Sequence, residues 1–384
     1  MIYLDNAATT KMAPEVFQAM TPYFMEHFGN PGAVYSHGTE AKKAVAKARE
    51  SVASLIGAKR DEIYFTSGGT EADNWALCAV AEAYGVKGKH VITTKIEHHA
   101  ILNTCAYLEG RGCEVTYLNV DEHGMISLEE LTRSIRPDTI LVSVMTANNE
   151  VGTIQPIREI SAIAREKGIL FHTDAVQAFG QIPLDMRELG VDLLSASAHK
   201  LNGPKGVGCL YVREGVSLGA YLHGGAQERS HRAGTENVPG IVGFGAAADR
   251  AKNHLSEKVK KEIALRDHFL NKLTSEIPDC KLNGHPDKRL PGNLNITFLD
   301  VEAVSLLLRL DSLGVCASAG SACTSGSAKP SHVLTAMGLA ASDARSTIRL
   351  TLSDENTMEE IDKAADLIRD SVMLLRKKKL EVMA

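Results

Sequence analysis

The chain has seven cysteines but no Cys-x-x-Cys pair, and an odd count spread from Cys78 to Cys323 suits neither a disulfide framework nor a structural zinc site. No uninterrupted apolar run approaches the roughly 20 residues that span a bilayer. The opening Met1-Ile-Tyr-Leu-Asp5 lacks the basic-then-apolar pattern of an export signal, so a reduced, cytoplasmic protein without membrane contact is expected. A one-sided charge is missing as well: 42 Lys and Arg against 47 Asp and Glu leave a net charge of −5, with no bulk attraction to nucleic acid. Several catalytic signatures are absent too. Without G-x-x-x-x-G-K-[ST] there is no cradle for nucleotide hydrolysis, and His98-His99 outside an H-E-x-x-H context suits no zinc geometry, so no metal is expected. Ser197-x-x-Lys200 has serine acyl-enzyme spacing but no KTG partner. Gly243-Phe-Gly245 mimics a dinucleotide fingerprint but follows no strand. There is no internal repeat.

What is present is a chain of 384 residues with 44% hydrophobic content, enough for one large domain and a smaller one. Short β-branched runs alternate with longer-period helical segments through the first two thirds. Residues 63–65, 90–93, 114–118, 140–144, 168–172, 193–196 and 208–212 read as strands, and 71–84, 100–109 and 157–167 as helices between them. This predicts an α/β fold with a mostly parallel sheet covered on both faces. After about residue 250 the texture changes. A charged stretch free of Gly and Pro, 251–277, predicts a helix bridging to a second α+β unit, with strands at 294–298 and 348–352 and helices at 301–309 and 358–377.

Open parallel sheets bind ligands at the carboxyl ends of their strands, and three marked positions fall at such ends. In Phe65-Thr-Ser-Gly-Gly69-Thr70-Glu71 a strand runs through glycines into a helix: either an ordinary threonine cap or a phosphate site. In Phe171-His-Thr-Asp174-Ala-Val-Gln177 an acid ends an apolar strand, as a helix cap or as a buried anion awaiting a cation. In Ser195-Ala-Ser197-Ala-His199-Lys200 a lysine follows a strand end among small residues, either solvated or desolvated into a nucleophile. Asp174 and Lys200 lie about one βαβ step apart, so neighbouring strand ends can set them on opposite sides of one ring. Pyridoxal phosphate needs that arrangement, with His98 available to cover the ring face. A fourth feature is Cys323, in a loop of small residues (317–330) that leaves its sulfur accessible and able to travel.

Assembled, these residues resemble the cysteine desulfurases of the NifS/IscS type, within the class-V aminotransferase family of fold-type I pyridoxal-phosphate enzymes. The resemblance runs through Tyr3-Leu-Asp-Asn-Ala-Ala-Thr-Thr10, Thr66-Ser-Gly-Gly-Thr-Glu71, Asn148-Asn-Glu-Val-Gly152, His172-Thr-Asp-Ala-Val-Gln177, Ser197-Ala-His-Lys200, His223-Gly-Gly-Ala-Gln-Glu-Arg229, Arg232-Ala-Gly-Thr235 and Ser321-Ala-Cys-Thr324. It implies a seven-stranded, mostly parallel sheet in a large coenzyme domain (15–255), with a small domain of 1–14 and 256–384 carrying the cysteine loop. It implies that Lys200 binds pyridoxal 5'-phosphate as a Schiff base, Asp174 partners the pyridine nitrogen, Gln177 bonds the ring hydroxyl and His98 stacks on the ring. Gly69, Thr70, Ser197 and His199 would hold the phosphate, and Thr235 would reach the site of a second copy in a homodimer. Asn149 and Arg349 would seat the carboxylate of L-cysteine. Lys200 would relay the α-proton, and Cys323 would take the sulfur as a persulfide, release L-alanine and deliver the sulfur to an iron–sulfur scaffold or another acceptor protein. The alternatives on the same fold are an aminotransferase or a selenocysteine lyase.

Overall fold

Most strand-forming runs between residues 63 and 212 are buried on both faces and followed by a helix that can cover them, whereas the edge run at 114–118 is half exposed and the run at 193–197 leads through a single turn into the next strand. The computed structural model describes residues 1–320 and 330–383. Cys323 and most of the expected loop therefore lie outside the described residues.

The strands are β1 (Ile2–Tyr3), β2 (Ile63–Thr66), β3 (His90–Thr94), β4 (Glu114–Leu118), β5 (Thr139–Ser143), β6 (Leu170–Asp174), β7 (Leu193–Ser197), β8 (Gly208–Val212), β9 (Cys280–Leu282), β10 (Asn293–Phe298), β11 (Val315–Cys316) and β12 (Thr347–Thr351). Seven of them form the main sheet in the order β2-β8-β7-β6-β5-β3-β4. The β3–β4, β3–β5, β5–β6 and β6–β7 pairs are parallel, and β8 runs antiparallel to both of its neighbours. β2 therefore points the same way as β7, and six strands present their carboxyl ends along one edge. One apolar cluster, including Val52, Phe171 and Phe244, packs on one face of the sheet, and another around Trp75, Leu77 and Leu193 packs on the other.

A second body forms around the three-stranded sheet β12-β10-β9 and the β1–β11 pair. Its core unites Ile2 and Leu4 with Phe269, Phe298 and Ile368, so the first residues of the chain pack with its C-terminal third. The helix expected at 251–277 spans Val238–Glu276. Gly243 and Gly245 within it are contact points with neighbouring elements. A Cβ on Gly245 would lie 2.6 Å from Ala48 Cα, and one on Gly243 would lie 2.4 Å from Met20 Sδ. The strand expected to open at Gly168 opens at Leu170 instead, because Gly168 adopts φ 67° in the turn after the preceding helix, Ile157–Glu166.

Candidate functional site

The carboxyl edge of the main sheet, with Arg349 from β12, encloses a cavity of about 260 Å³. Most of its strand ends deliver a piece. β2 leads through Gly68 into the helix Gly69–Tyr84, whose first residues Gly69 and Thr70 line the cavity. The turn fits only because Gly208 of β8 lies against it: a Cβ there would sit 2.5 Å from Ala196 O and 2.7 Å from the Gly68 carbonyl carbon. Gly208→Ala is expected to destabilise the fold by about 1–3 kcal/mol through forced backbone displacement, read as a lower urea midpoint.

β3 leads to His98, which caps the helix His99–Glu109. Its Nδ1 accepts the Ala100 N–H at 3.1 Å, which leaves the ring proton on Nε2. β6 ends on Asp174, whose Oδ1 accepts the Val176 N–H at 2.8 Å. Burial pushes this carboxyl up, against the pull of His98 and Lys200. β7 ends on Ser197, and a single turn then carries His199 and Lys200. His199 is held neutral, burial having lowered it to about 4, and its Nδ1 lies 3.1 Å from Thr9 Oγ1.

Lys200 Nζ donates to the carbonyl oxygens of Ala7 and Ala8 at 2.5 and 2.7 Å, and Gln177 Nε2 donates to the same Ala7 oxygen at 3.0 Å. The segment Tyr3–Thr10 thereby ties the cavity to the second body, where the Ala7 N–H donates to Thr351 Oγ1 at 2.9 Å. Arg349 is 2% exposed. It donates from Nη1 to Asn149 O at 2.8 Å and from Nη2 to Asp5 Oδ1 at 2.9 Å, and its buried Nε has no partner among the described residues.

Ten of the residues singled out from sequence thus meet in one cavity: Gly69, Thr70, His98, Asn149, Asp174, Gln177, Ser197, His199, Lys200 and Arg349. Thr235 does not line it. It is exposed on the loop before the helix Val238–Glu276, and Arg232 anchors that loop to Glu71 at 2.8 and 3.1 Å. Sequence reasoning missed Asp73, Glu150, His99 and His332, which also line the cavity. Asp73 was findable as the one acid on the stripe Ala72, Asp73, Ala76, Leu77 and Val80 that the helix buries. Glu150 and His332 carried no such signal, being brought together by tertiary packing.

One histidine gives the fold an acid limit. His172 is fully buried between Ser143 Oγ (2.9 Å) and Ser195 Oγ (3.0 Å), and burial lowers it to about 3. Below pH 6.5 the unfolded chain takes a proton that the folded protein refuses, so stability falls as pH drops. Wild type should lose about 2 kcal/mol more than His172→Asn between about pH 7 and about pH 5 in urea titrations.

The profile of the aminotransferase class-V family matches residues 2–364. A cysteine desulfurase IscS of Methanosarcina thermophila is 53% identical over 98% of this chain and 93% of its own length. A solved NifS-like protein superposes with a TM-score of 0.92 at 40% identity, covering 97% of this chain and 99% of that one. A solved structure described as SspA in complex with cysteine gives a TM-score of 0.82 at 37% identity, covering 93% and 100%.

Proposed function

The chain belongs to the class-V aminotransferase family, among its cysteine desulfurases, and from that premise we propose that it moves the sulfur of L-cysteine onto Cys323 as a persulfide and releases L-alanine. The observation that carries the reading is the convergence of Lys200, Asp174 and the Gly69–Thr70 helix start on one cavity. The family's cofactor is pyridoxal 5'-phosphate, and the residues present fit it. A buried acid with one oxygen already bonded faces a lysine across the cavity. The helix start at Gly69 is a cradle that a side chain would close, since a Cβ there would lie 2.5 Å from Val176 Cγ2.

When bound, the coenzyme supplies an electron sink that loosens the proton on the substrate's Cα and opens its sulfur to attack. Lys200 would hold the coenzyme's aldehyde carbon and, once freed, carry the proton at the substrate's Cα. Asp174 would fix the ring nitrogen, Gln177 the ring hydroxyl and His98 the ring face. Gly69, Thr70, Ser197 and His199 would take the phosphate, with neutral His199 donating through the nitrogen that does not face Thr9. Asn149 and Arg349 would seat the substrate carboxylate, for which Arg349 presents a buried Nε without a partner among the described residues. The Cys323 thiolate would take the sulfur, so that cysteine and thiol become alanine and persulfide without an outside oxidant or reductant.

A homodimer accords with the exposure of Met25, Phe28 and Val34 (81%, 70% and 99%) and of Thr235, which would complete the second copy's phosphate site. An iron–sulfur scaffold or another acceptor protein would receive the sulfur. No helix among the described residues is long and apolar enough to cross a membrane, in keeping with a cytoplasmic site of action. The two cores support a coenzyme unit of 15–255 and a smaller unit of 1–14 with 256–384. Cys323→Ser tests the reading: sulfide release from L-cysteine with a thiol reductant should vanish while the coenzyme's visible band remains. Full turnover in that variant would favour a lyase or aminotransferase.

A further inference from the structure

Asp73 lies four residues into the helix that begins at Gly69, and its carboxyl faces the sheet rather than solvent. It is 1% exposed, it lines the cavity, and its Oδ1 has no hydrogen-bond partner among the described residues. Facing it are Asp174 and His172 from β6, Ser195 from β7, and Glu97 and His98 from the segment after β3. Donor atoms of Asp73, His98 and Asp174 lie within 4.8 Å of one another. Among the described residues the one ion-pair contact of Asp73 is with His172 Nε2 at 3.7 Å, and that ring is held neutral between its two serines.

Two carboxyl groups this close and this dry do not both ionise, because desolvation penalises each charge and the first charge penalises the second. Their surroundings decide which one keeps the proton. Asp174 has a backbone N–H on Oδ1 and faces Lys200 and His98, so a negative charge there is supported. Asp73 has one orphaned oxygen and a hydrogen bond from Ser195 as its main support, and burial together with Asp174 outweighs that bond and pushes it well above the usual carboxylate range. Glu97 adds to the penalty as a third buried carboxyl nearby.

We propose that Asp73 is a positioning residue for the coenzyme's ring nitrogen: it stays protonated beside Asp174, so that the pair presents a single negative charge, seated on Asp174. An ionised Asp73 would offer the ring cation a second anion away from Asp174 and blur where the nitrogen settles. A protonated one leaves Asp174 as the sole anchor while filling the space between the helix and β6. The inference rests on the coenzyme reading above.

Infrared spectroscopy of the holoenzyme near neutral pH tests it. Wild type should show a protonated carboxylic acid C=O band that shifts when aspartate is carbon-13 labelled and that disappears in Asp73→Asn. That variant copies the neutral form, so its coenzyme retention on dialysis should stay within about threefold of wild type. The labelling arm needs no variant and stands even if Asp73→Asn folds poorly. A coenzyme-bearing wild type with no aspartate-derived acid band, or an aspartate-derived band that persists in Asp73→Asn, overturns the inference alone. A roughly tenfold or greater loss of coenzyme by a folded Asp73→Asn also overturns it, since removing a neutral group's proton-bearing oxygen should not cost a charge. Wild type that never acquires the coenzyme's visible band overturns the coenzyme reading and this inference with it.

Discussion

Replacing Lys200 with alanine should lower turnover of L-cysteine by about 10⁴-fold or more, since one residue both holds the coenzyme and moves the Cα proton, and proton transfer alone accounts for up to about that factor. The variant should still fold. Lys200 Nζ contacts the backbone oxygens of Ala7 and Ala8, and Gln177 continues to hold the Ala7 oxygen when the lysine is gone. Coenzyme added to Lys200→Ala should bind reversibly and wash out on dialysis, with a visible spectrum closer to the free aldehyde than to wild type. Activity above about a hundredth of wild type, measured as alanine formed, would remove Lys200 from the proposed role.

Asp174→Ala is the second large effect, and it separates function from stability. With the coenzyme bound, the Asp174 charge faces a ring cation in a dry cavity, and removing one partner of such a pair costs about 3–5 kcal/mol, or about 10²–10⁴-fold in coenzyme retention. In the coenzyme-free protein the sign reverses. Asp174 there is a fully buried carboxyl whose desolvation outweighs the pull of His98, the Val176 N–H and Lys200, and its removal relieves that penalty. The coenzyme-free variant should therefore unfold in urea at the wild-type midpoint or above it, even though it no longer keeps the coenzyme. A variant that loses midpoint and coenzyme together would make Asp174 a packing residue.

The main sheet was legible because its strands are short runs rich in β-branched and apolar residues bounded by turns. Glu114–Leu118 and Gly208–Val212 came out residue for residue. Boundaries failed where glycine plays two parts. Gly168 reads as the start of a strand but takes a left-handed turn, and the helix expected to open at 251 opens at Val238, with Gly243 and Gly245 as points where it meets its neighbours. Lys200, Asp174 and Gly69 were visible at the site because each follows a strand end, where local sequence already fixes direction. Arg349 was visible only by resemblance, since it enters from another sheet. Asp73 went unread although an acid on an apolar helix face is a local signal. The union of Ile2 and Leu4 with the C-terminal third of the chain is a long-range packing event with no local mark.

The whole account turns on where the sulfur goes. Wild-type holoenzyme given L-cysteine without an acceptor or reductant, then digested and examined by mass spectrometry, should carry one added sulfur atom on the peptide containing Cys323, in step with the alanine released. Alanine formed while that peptide stays unmodified, or the added sulfur found on another cysteine, would contradict it.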